Sequence, residues 1–219
     1  MDPVAPADTE QAQRRYRAIS AEYERHARLV GPLRRRAVQR LKLRDGDHVL
    51  DMGCGTGTSF ELLRAQVGHT GRVTGVDLSD AMASVARQRI GDHGWRNVDV
   101  VVGDAATVTL PDRVDGVLFF ETHDLLRTPA VVQRSVSAAR PGARVVAFGP
   151  STSVRWAVPV NAIVRSVAKR YVTTFDGFDE PWSHLARLLP DLRVHRLFLG
   201  GAYLAIGVAP SGFTAATQT

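Results

Sequence analysis

Three aspartates end three successive apolar runs, and the first of them is followed closely by glycines. Asp51 follows the run 48–50, and Gly53, Gly55 and Gly57 come after it at alternate positions. Glycines in such a turn let the backbone approach a nucleotide-like ligand at a helix N-terminus, because no side chain stands in the way. The stretch therefore predicts a buried strand, a ligand-binding turn and a helix.

Asp77 and Asp104 end the next two apolar runs, 71–77 and 98–104. A carboxylate at the tip of a second strand can accept hydrogen bonds from both hydroxyls of a ribose. A carboxylate at the tip of a third strand suits an exocyclic adenine amine, which only donates. Each aspartate alone could be an ordinary turn residue, but three in this order favour a site for an adenosine-containing ligand.

The spacing of the glycines excludes two better-known nucleotide sites. A dinucleotide fingerprint needs its third glycine at position 58, where the chain has Thr58. A P-loop needs a lysine after its glycines, and none follows here.

The elements that must position these residues are strands alternating with helices. Predicted helices cover 9–29, 32–41, 80–90 and 129–139, and further strands cover 114–120, 143–149, 192–199 and 203–208. The last two strands flank Gly200 and Gly201 and read as an antiparallel hairpin. The expected fold is α/β, a Rossmann-like three-layer sandwich whose seven-stranded, mostly parallel sheet ends in an antiparallel C-terminal hairpin.

These motifs resemble those of the class I S-adenosylmethionine-dependent methyltransferases. The matching pieces are VLDMGCGTG, VTGVDLS, VVGDAATVTLP, VDGVLFF and SAARPGARVVAFG, in the family order, and the resemblance covers residues 16–209. Within that superfamily the chain is similar to the small quinone-biosynthesis-like enzymes (methyltransferase domain 11/25 type), which also begin with a tyrosine-containing helix, here YRAISAEY. The resemblance implies S-adenosyl-L-methionine as cofactor and S-adenosyl-L-homocysteine as product.

The resemblance and the strand-end pattern together assign the cofactor site. Asp51 orders the turn and the cofactor's amino group, Leu78 packs on the adenine, and Asp104 with Ala105 reads its edge. Tyr16 covers the site from the N-terminal helix, or else packs in the core. The expected cofactor residues are Asp51, Gly53, Cys54, Gly55, Gly57, Asp77, Leu78, Asp104, Ala105, Phe120 and Tyr16.

Candidate catalytic groups lie at the end of the fourth strand. His123 titrates nearest to neutrality and is the first candidate for a general base, although a surface or helix-capping histidine is an equal alternative. Glu121 could contact the substrate or the sulfonium, or cap the next helix. The relatives carry His-Leu shortly after this strand, whereas here Asp124 and Leu125 fall at that place and His123 comes one position early.

The methyl acceptor is expected between the end of strand four, the N-terminal helix and an insertion at 150–182. The expected substrate-binding residues are Tyr23, Phe119, Asp124, Trp156 and Phe175. The insertion is a pocket lid, a membrane-surface helix or a helix that covers the core, and the lid is favoured. Phe178 and Trp182 could wall the acceptor or pack the joint. Tyr23 has a core-packing alternative too.

Length and composition indicate one globular domain. The chain has 219 residues, 44% of them hydrophobic and 23% charged. We expect a helical lid at 9–41, a cofactor-binding core at 42–149, the insertion at 150–182, a helix and hairpin at 183–209 and a tail at 210–219. The single cysteine argues against a disulfide and a cysteine-rich zinc site. We expect no metal, and the apparent lack of leader or spanning segments favours the cytoplasm.

The net charge is +6, and arginines crowd the N-terminal third. Such a face could bind RNA or anionic lipid, or could be an ordinary solvated helix surface. The end of strand four lacks the Pro-Pro-aromatic motif of base amino-methylases, and the one cysteine is in the wrong loop for pyrimidine C5 chemistry. Nucleic acid is therefore possible but not favoured, and peripheral membrane contact is possible.

The expected function is methyl transfer from S-adenosylmethionine to a small, apolar or aromatic acceptor, on oxygen, nitrogen or carbon. One alternative is an RNA or protein methyltransferase that uses the basic N-terminal helices. Another is an enzyme of the same fold that binds the cofactor and catalyses a non-methylating reaction. Monomer and homodimer are both open.

Overall fold

The computed structural model describes residues 29–152 and 177–211, together with the single positions 162 and 166. Within this part, strands and helices alternate. The α-helices are α1 (Gly31–Leu41), α2 (Phe60–Val67), α3 (Asp80–Asp92), α4 (His123–Leu126), α5 (Pro129–Ala138) and α6 (Ser183–Leu188). The strands are β1 (His48–Met52), β2 (Arg72–Asp77), β3 (Val98–Val102), β4 (Val114–Phe120), β5 (Ala139–Pro150), β6 (Arg193–Leu197) and β7 (Ala202–Val208).

The seven strands form one sheet in the order β3-β2-β1-β4-β5-β7-β6. The first five strands are parallel, and β7 pairs antiparallel with both β5 and β6. The chain moves outward from β1 to β3 and then returns to β4 on the other side of β1. This reversal opens a crevice at the carboxyl ends of β1 and β4, which is where open α/β sheets bind ligands.

Each face of the sheet carries its own apolar core. On one face, Val38 of α1 and Phe60 of α2 pack with Leu118 of β4. On the other face, Val132 of α5 packs with Phe119 of β4. Successive residues of a strand point to opposite faces, so β4 serves both cores. The helices on both faces make the three layers of the sandwich.

The expected fold class is confirmed, and the differences are local. β3 ends at Val102, two residues early, because the chain turns at Gly103 (φ 156°). β5 begins at Ala139, where a short pairing with Val114 precedes an irregularity in the register. The short helix α4 and a 3₁₀ turn at Phe198–Gly200 were not expected.

Two other expectations are not tested by the described residues. The predicted helix 9–29 lies outside them except for its last residue, and the division into lid, core, insertion and tail stays a prediction. None of the described helices is long and apolar enough to cross a membrane.

Candidate functional site

The glycine loop is held tightly between β1, β2 and the segment after β4. The N–H groups of Gly53 and Cys54 both donate to the Val76 carbonyl, at 2.8 and 3.0 Å. Gly53 has φ 71°, and a Cβ built on it would lie 2.4 Å from the Thr122 methyl group. This position therefore requires glycine, and the loop backbone lies directly against the residues that follow β4.

Asp77 organises the loop from the end of β2. Its Oδ2 accepts from the Gly55 N–H at 2.8 Å, and its Oδ1 accepts from the Ser79 N–H at 2.9 Å. Ser79 in turn caps α3 by accepting from Met82 N–H. Each carboxylate oxygen keeps a further lone pair, so the expected ribose contact is compatible with these bonds.

The end of β3 presents the residues that were expected to meet adenine. Asp104 is exposed, and its Oδ1 accepts from the Ala106 N–H at 2.8 Å. Ala105 is buried beneath it. Leu78, after β2, is 73% exposed, which leaves a large apolar side chain open at the place where an adenine face could cover it.

Asp51 is a fully buried carboxyl group beneath the loop. Its pKa is raised to about 7, chiefly by burial; the Arg34 guanidinium and a hydrogen bond from Ser59 oppose this shift, and the Asp77 carboxylate adds to it. Its Oδ2 atom has no hydrogen-bond partner among the described residues. A buried acceptor of this kind is costly unless a donor reaches it.

Arg34 reaches the site from α1 and was missed as a site residue. We counted it among the basic residues of the N-terminal third, but it is 5% exposed. Its Nη1 donates to Ser59 Oγ at 2.9 Å, and its guanidinium carbon lies 4.1 Å from the centre of the Phe120 ring. A usable signal exists in the sequence, since Arg34 shares helical spacing with the buried residues Ala37 and Val38.

The chain leaves β4 through a strained residue. Glu121 has φ 60°, which is uncommon for a residue with a side chain. Its N–H donates to the Phe148 carbonyl at 2.7 Å, and its carboxylate lies 4.0 Å from Arg34 Nη2. Such strain persists where the surroundings hold it, and it clusters at functional sites.

His123 begins α4 and is buried, with 4% exposure. Its ring lies 4.6 Å from the ring of Phe178 at a tilt of 56°. It is therefore not the surface histidine that was the alternative. Asp124 beside it is half-buried, and its carbonyl accepts from the Thr128 hydroxyl at 2.9 Å.

Two expected contacts need correction. Phe119 is fully buried in the core beside Val132, because β4 turns it to the face opposite Phe120. It packs the fold and does not line the site. The Cys54 side chain is also buried, and Gly75 lies beneath it, so only the Cys54 backbone is left to meet a ligand. Burial raises the pKa of this thiol well above its usual value, so it is no nucleophile.

Two aromatic residues expected at the insertion, Phe178 and Trp182, are both buried. Phe178 contacts His123, whereas Trp182 packs 4.9 Å from Tyr203 in the core. Four expected site residues lie outside the described part of the chain: Tyr16, Tyr23, Trp156 and Phe175. Across the residues that the structure describes, no three His, Cys, Asp or Glu side chains group as a metal site would require.

This arrangement fits a ligand that carries adenosine and an amino-acid end. Gly53 leaves room for close backbone approach, Asp77 can take ribose hydroxyls, and Leu78 offers an apolar surface. Asp51 Oδ2 and Arg34 Nε are buried polar atoms without hydrogen-bond partners among the described residues. Charged groups of a ligand would satisfy them.

Comparison with known proteins identifies a methyltransferase domain in the chain. Residues 49–142 match the family model described as a methyltransferase domain. The demethylmenaquinone methyltransferase of Symbiobacterium thermophilum is 32% identical over 120 residues, which are 53% of this chain and 48% of that protein. Residues 49–142 are a methyltransferase domain, and the chain is similar to S-adenosylmethionine-dependent methyltransferases.

Solved structures agree with this class I methyltransferase fold. A SAM-dependent methyltransferase from Aquifex aeolicus superposes with a TM-score of 0.59 at 21% identity, covering 80% of this chain and 89% of that one. An O-methyltransferase family protein from Burkholderia thailandensis gives 0.69 at 19% identity, covering 96% and 65%. The cofactor of the family is S-adenosyl-L-methionine. The chain spans about half the length of the curated relatives it matches.

Proposed function

We propose that this protein transfers the methyl group of S-adenosylmethionine to a small, apolar or aromatic acceptor. One observation carries the proposal: the glycine loop touches the segment after β4, where a buried histidine lies against an aromatic ring. Gly53 abuts Thr122, and the next residue, His123, contacts Phe178. The cofactor loop and an enclosed, partly apolar corner are thus neighbours.

The bound cofactor supplies an electrophilic methyl group, and the protein's task is to position the acceptor and exclude water. Phe178 and Phe120 are buried apolar side chains that pack around the end of β4 and support His123 and Arg34 there. His123 Nε2 or Nδ1 accepts a proton if the acceptor atom carries one at neutral pH. Glu121, held by Arg34, orients the acceptor or faces the positive sulfonium.

The similarity to demethylmenaquinone methyltransferases supports a small acceptor with an aromatic or quinone-like ring. Such a ring buries a large apolar area and stacks on aromatic side chains. The half-buried Asp124, next to His123 in the sequence, could bind a ring hydroxyl. The atom that receives the methyl group is left open among oxygen, nitrogen and carbon.

The proposal is tested by label transfer from methyl-labelled S-adenosylmethionine to a panel of phenols, catechols and hydroquinones. We expect transfer to at least one of them, and about a 10²- to 10⁴-fold lower kcat in His123→Ala if the acceptor is protonated. The variant should still bind S-adenosylhomocysteine. A variant with undiminished rate on the best acceptor would remove His123 as the base. Transfer to RNA or protein alone would overturn the small acceptor.

A second candidate function, action on RNA, is supported by the outer face of α1. A shallow groove there is lined by Pro32, Arg35, Arg36, Gln39, Arg40 and Lys42. Its described lining holds four cations and no carboxylate, a surface that attracts phosphates. Against this candidate, no aromatic side chain lines the groove to stack a base.

A further inference from the structure

Four large apolar side chains are mainly exposed among the described residues, and all four stand at the carboxyl edge of the sheet. They are Leu29, Leu78, Phe198 and Leu199, each at least 66% exposed. Leu78 directly follows β2, and the turn 198–200 precedes β7, whose first residue lies opposite the last residue of β5. Leu29 stands two residues before α1, and Arg34 of that helix reaches the end of β4. Apolar side chains gathered in this way mark a surface that something apolar covers.

The turn that carries Phe198 and Leu199 holds them outward against the preference of the backbone. Their φ angles are 51° and 54°, in the left-handed region that favours glycine. Buried Ser151 fixes the turn from inside, since its Oγ donates to the Gly200 carbonyl at 2.9 Å and its N–H donates to the Gly201 carbonyl at 3.1 Å. Strain of this kind persists where the surroundings enforce it, often at functional sites. The turn is therefore a firmly held apolar protrusion.

The first turns of α1 place cations beside this apolar edge. Arg35 and Arg36 are exposed and line the shallow groove on the outer face of the helix. The described lining of that groove contains no carboxylate. Val30, just before α1, and Leu197, at the end of β6, pack against the same apolar core. The basic face of α1 and the apolar turn after β6 therefore border one corner of the molecule.

We propose that this corner docks on an anionic lipid surface. Leu29, Phe198 and Leu199 enter the apolar part of the lipid layer, while Arg35 and Arg36 contact headgroup phosphates. Each basic residue near an anionic bilayer strengthens binding about fivefold, and buried apolar side chains add to it. Docking does not depend on methyl transfer, but it turns the edge that carries the glycine loop towards the lipid.

A lipid surface fits these observations better than RNA does. RNA would use the cations of α1, but the aliphatic side chains of Leu29 and Leu199 cannot stack on bases. An interfacial lipid site uses both kinds of residue, because cations meet the headgroups and apolar side chains enter the layer beneath them. The pairing of an apolar protrusion with an adjacent basic helix is what favours lipid.

The test is co-sedimentation of the full chain with vesicles of pure phosphatidylcholine, and with vesicles that contain about equal amounts of phosphatidylcholine and phosphatidylglycerol. We expect the wild-type protein to bind the mixed vesicles at least about tenfold more strongly, and added salt should weaken this binding. Arg35→Gln/Arg36→Gln should weaken it by about 10- to 30-fold. Arg96→Gln/Arg193→Gln is the matched control and should bind as the wild type does, because these exposed arginines lie before β3 and at the start of β6, at the opposite edge.

The apolar turn is tested by Phe198→Asn/Leu199→Gly. Asparagine and glycine adopt positive φ readily, so this variant should be at least as stable as the wild type in thermal unfolding. Its binding to mixed vesicles should nevertheless fall at least about tenfold. Arg113→Asn is the control, since Arg113 is exposed, has φ 59° and precedes β4 at the opposite edge. It relieves the same kind of strain and removes a cation, yet it should bind vesicles normally.

Equal binding to neutral and mixed vesicles, binding to neither, or a turn variant that binds as the wild type does would each overturn the inference. Self-association that the turn variant abolishes, seen by analytical ultracentrifugation, would overturn it in favour of a second copy of the chain. Retention of a structured RNA without vesicle binding would assign the cations of α1 to RNA instead. All these variants should keep normal affinity for S-adenosylhomocysteine, so a failure of docking leaves the proposed function intact.

Discussion

At the scale of single residues, the site is governed by charges that water does not reach. Asp51 and Arg34 are both buried, and neither would be stable there without the other and the polar groups around them. The strand-end aspartates were visible in the sequence because each follows an apolar run. Arg34 was not recognised, since a cation within a run of arginines reads as solvated surface until the buried face of its helix is known.

The raised pKa of Asp51 makes stability depend on pH. The pKa of the carboxyl group is about 7 in the folded protein, against an ordinary aspartate pKa of 3.8. The folded state thus binds more protons between these values, and stability falls as pH rises through that window. Relative to Asp51→Asn, the wild-type protein should lose up to about 1.4 kcal/mol of unfolding free energy per pH unit.

Urea unfolding of both proteins from pH 4 to 8 measures this difference. Asp92→Asn, an exposed change at the end of α3, serves as the control and should track the wild-type protein throughout. A difference between wild type and Asp51→Asn that stays constant across the range would contradict the buried, protonated carboxyl group.

At the scale of elements, the periodicity of apolar residues and the positions of glycines in turns predicted most of the helices and strands. β4 was placed at its observed bounds, and the helix predicted from residue 80 begins there as α3. The short helix α4 was missed because four residues carry too little periodicity to reveal a helix. Phe119 and Phe120 show a further limit. Their type is the same, and only the sheet decides that Phe119 packs in one core and Phe120 packs in the other, beneath Arg34.

The glycine loop supplies a prediction for this scale. Gly53→Ala adds a Cβ at positive φ and 2.4 Å from Thr122, so Thr122 and the loop must move apart. We expect a stability loss of about 1–3 kcal/mol and at least about a tenfold loss of affinity for S-adenosylhomocysteine. Thermal unfolding and calorimetry measure the two effects.

Gly91→Ala is its control. Gly91 lies in α3 with nothing within 4 Å of an added Cβ, and alanine there should be neutral or stabilise by up to about 1 kcal/mol. Normal ligand affinity in Gly53→Ala would mean that the loop does not approach the ligand closely.

At the scale of the whole molecule, the sheet topology brings the site residues together, and much of the positive charge lies elsewhere on the surface. The reversal of strand order between β1 and β4 brings residues from four strand ends and α1 to one edge of the sheet. Part of the net charge of +6 lies outside that edge, on the outer face of α1. The sequence alone shows the amount of charge, but it does not show that Arg34 is buried and therefore does not belong to this charged surface.

RNA binding to that outer face is measurable. Two triple variants are compared: one removes three arginines of α1 (Arg35→Gln/Arg36→Gln/Arg40→Gln), and the other removes three exposed arginines elsewhere (Arg96→Gln/Arg187→Gln/Arg193→Gln). If the acceptor is a small molecule, the two variants should bind a structured RNA equally weakly. Both variants lower the net charge equally. Affinity is measured as a function of salt by filter binding. A salt slope that falls by about 2 only in the α1 variant would favour RNA as the partner.

The most direct test of the central claim is calorimetric titration of the purified protein with S-adenosylmethionine and, separately, with S-adenosylhomocysteine. The glycine loop, Asp77 and the buried pair of Asp51 and Arg34 predict roughly micromolar or tighter binding of both, with the product form at least as tight. Binding of neither ligand would contradict the account, because every functional assignment made for this site depends on that cofactor.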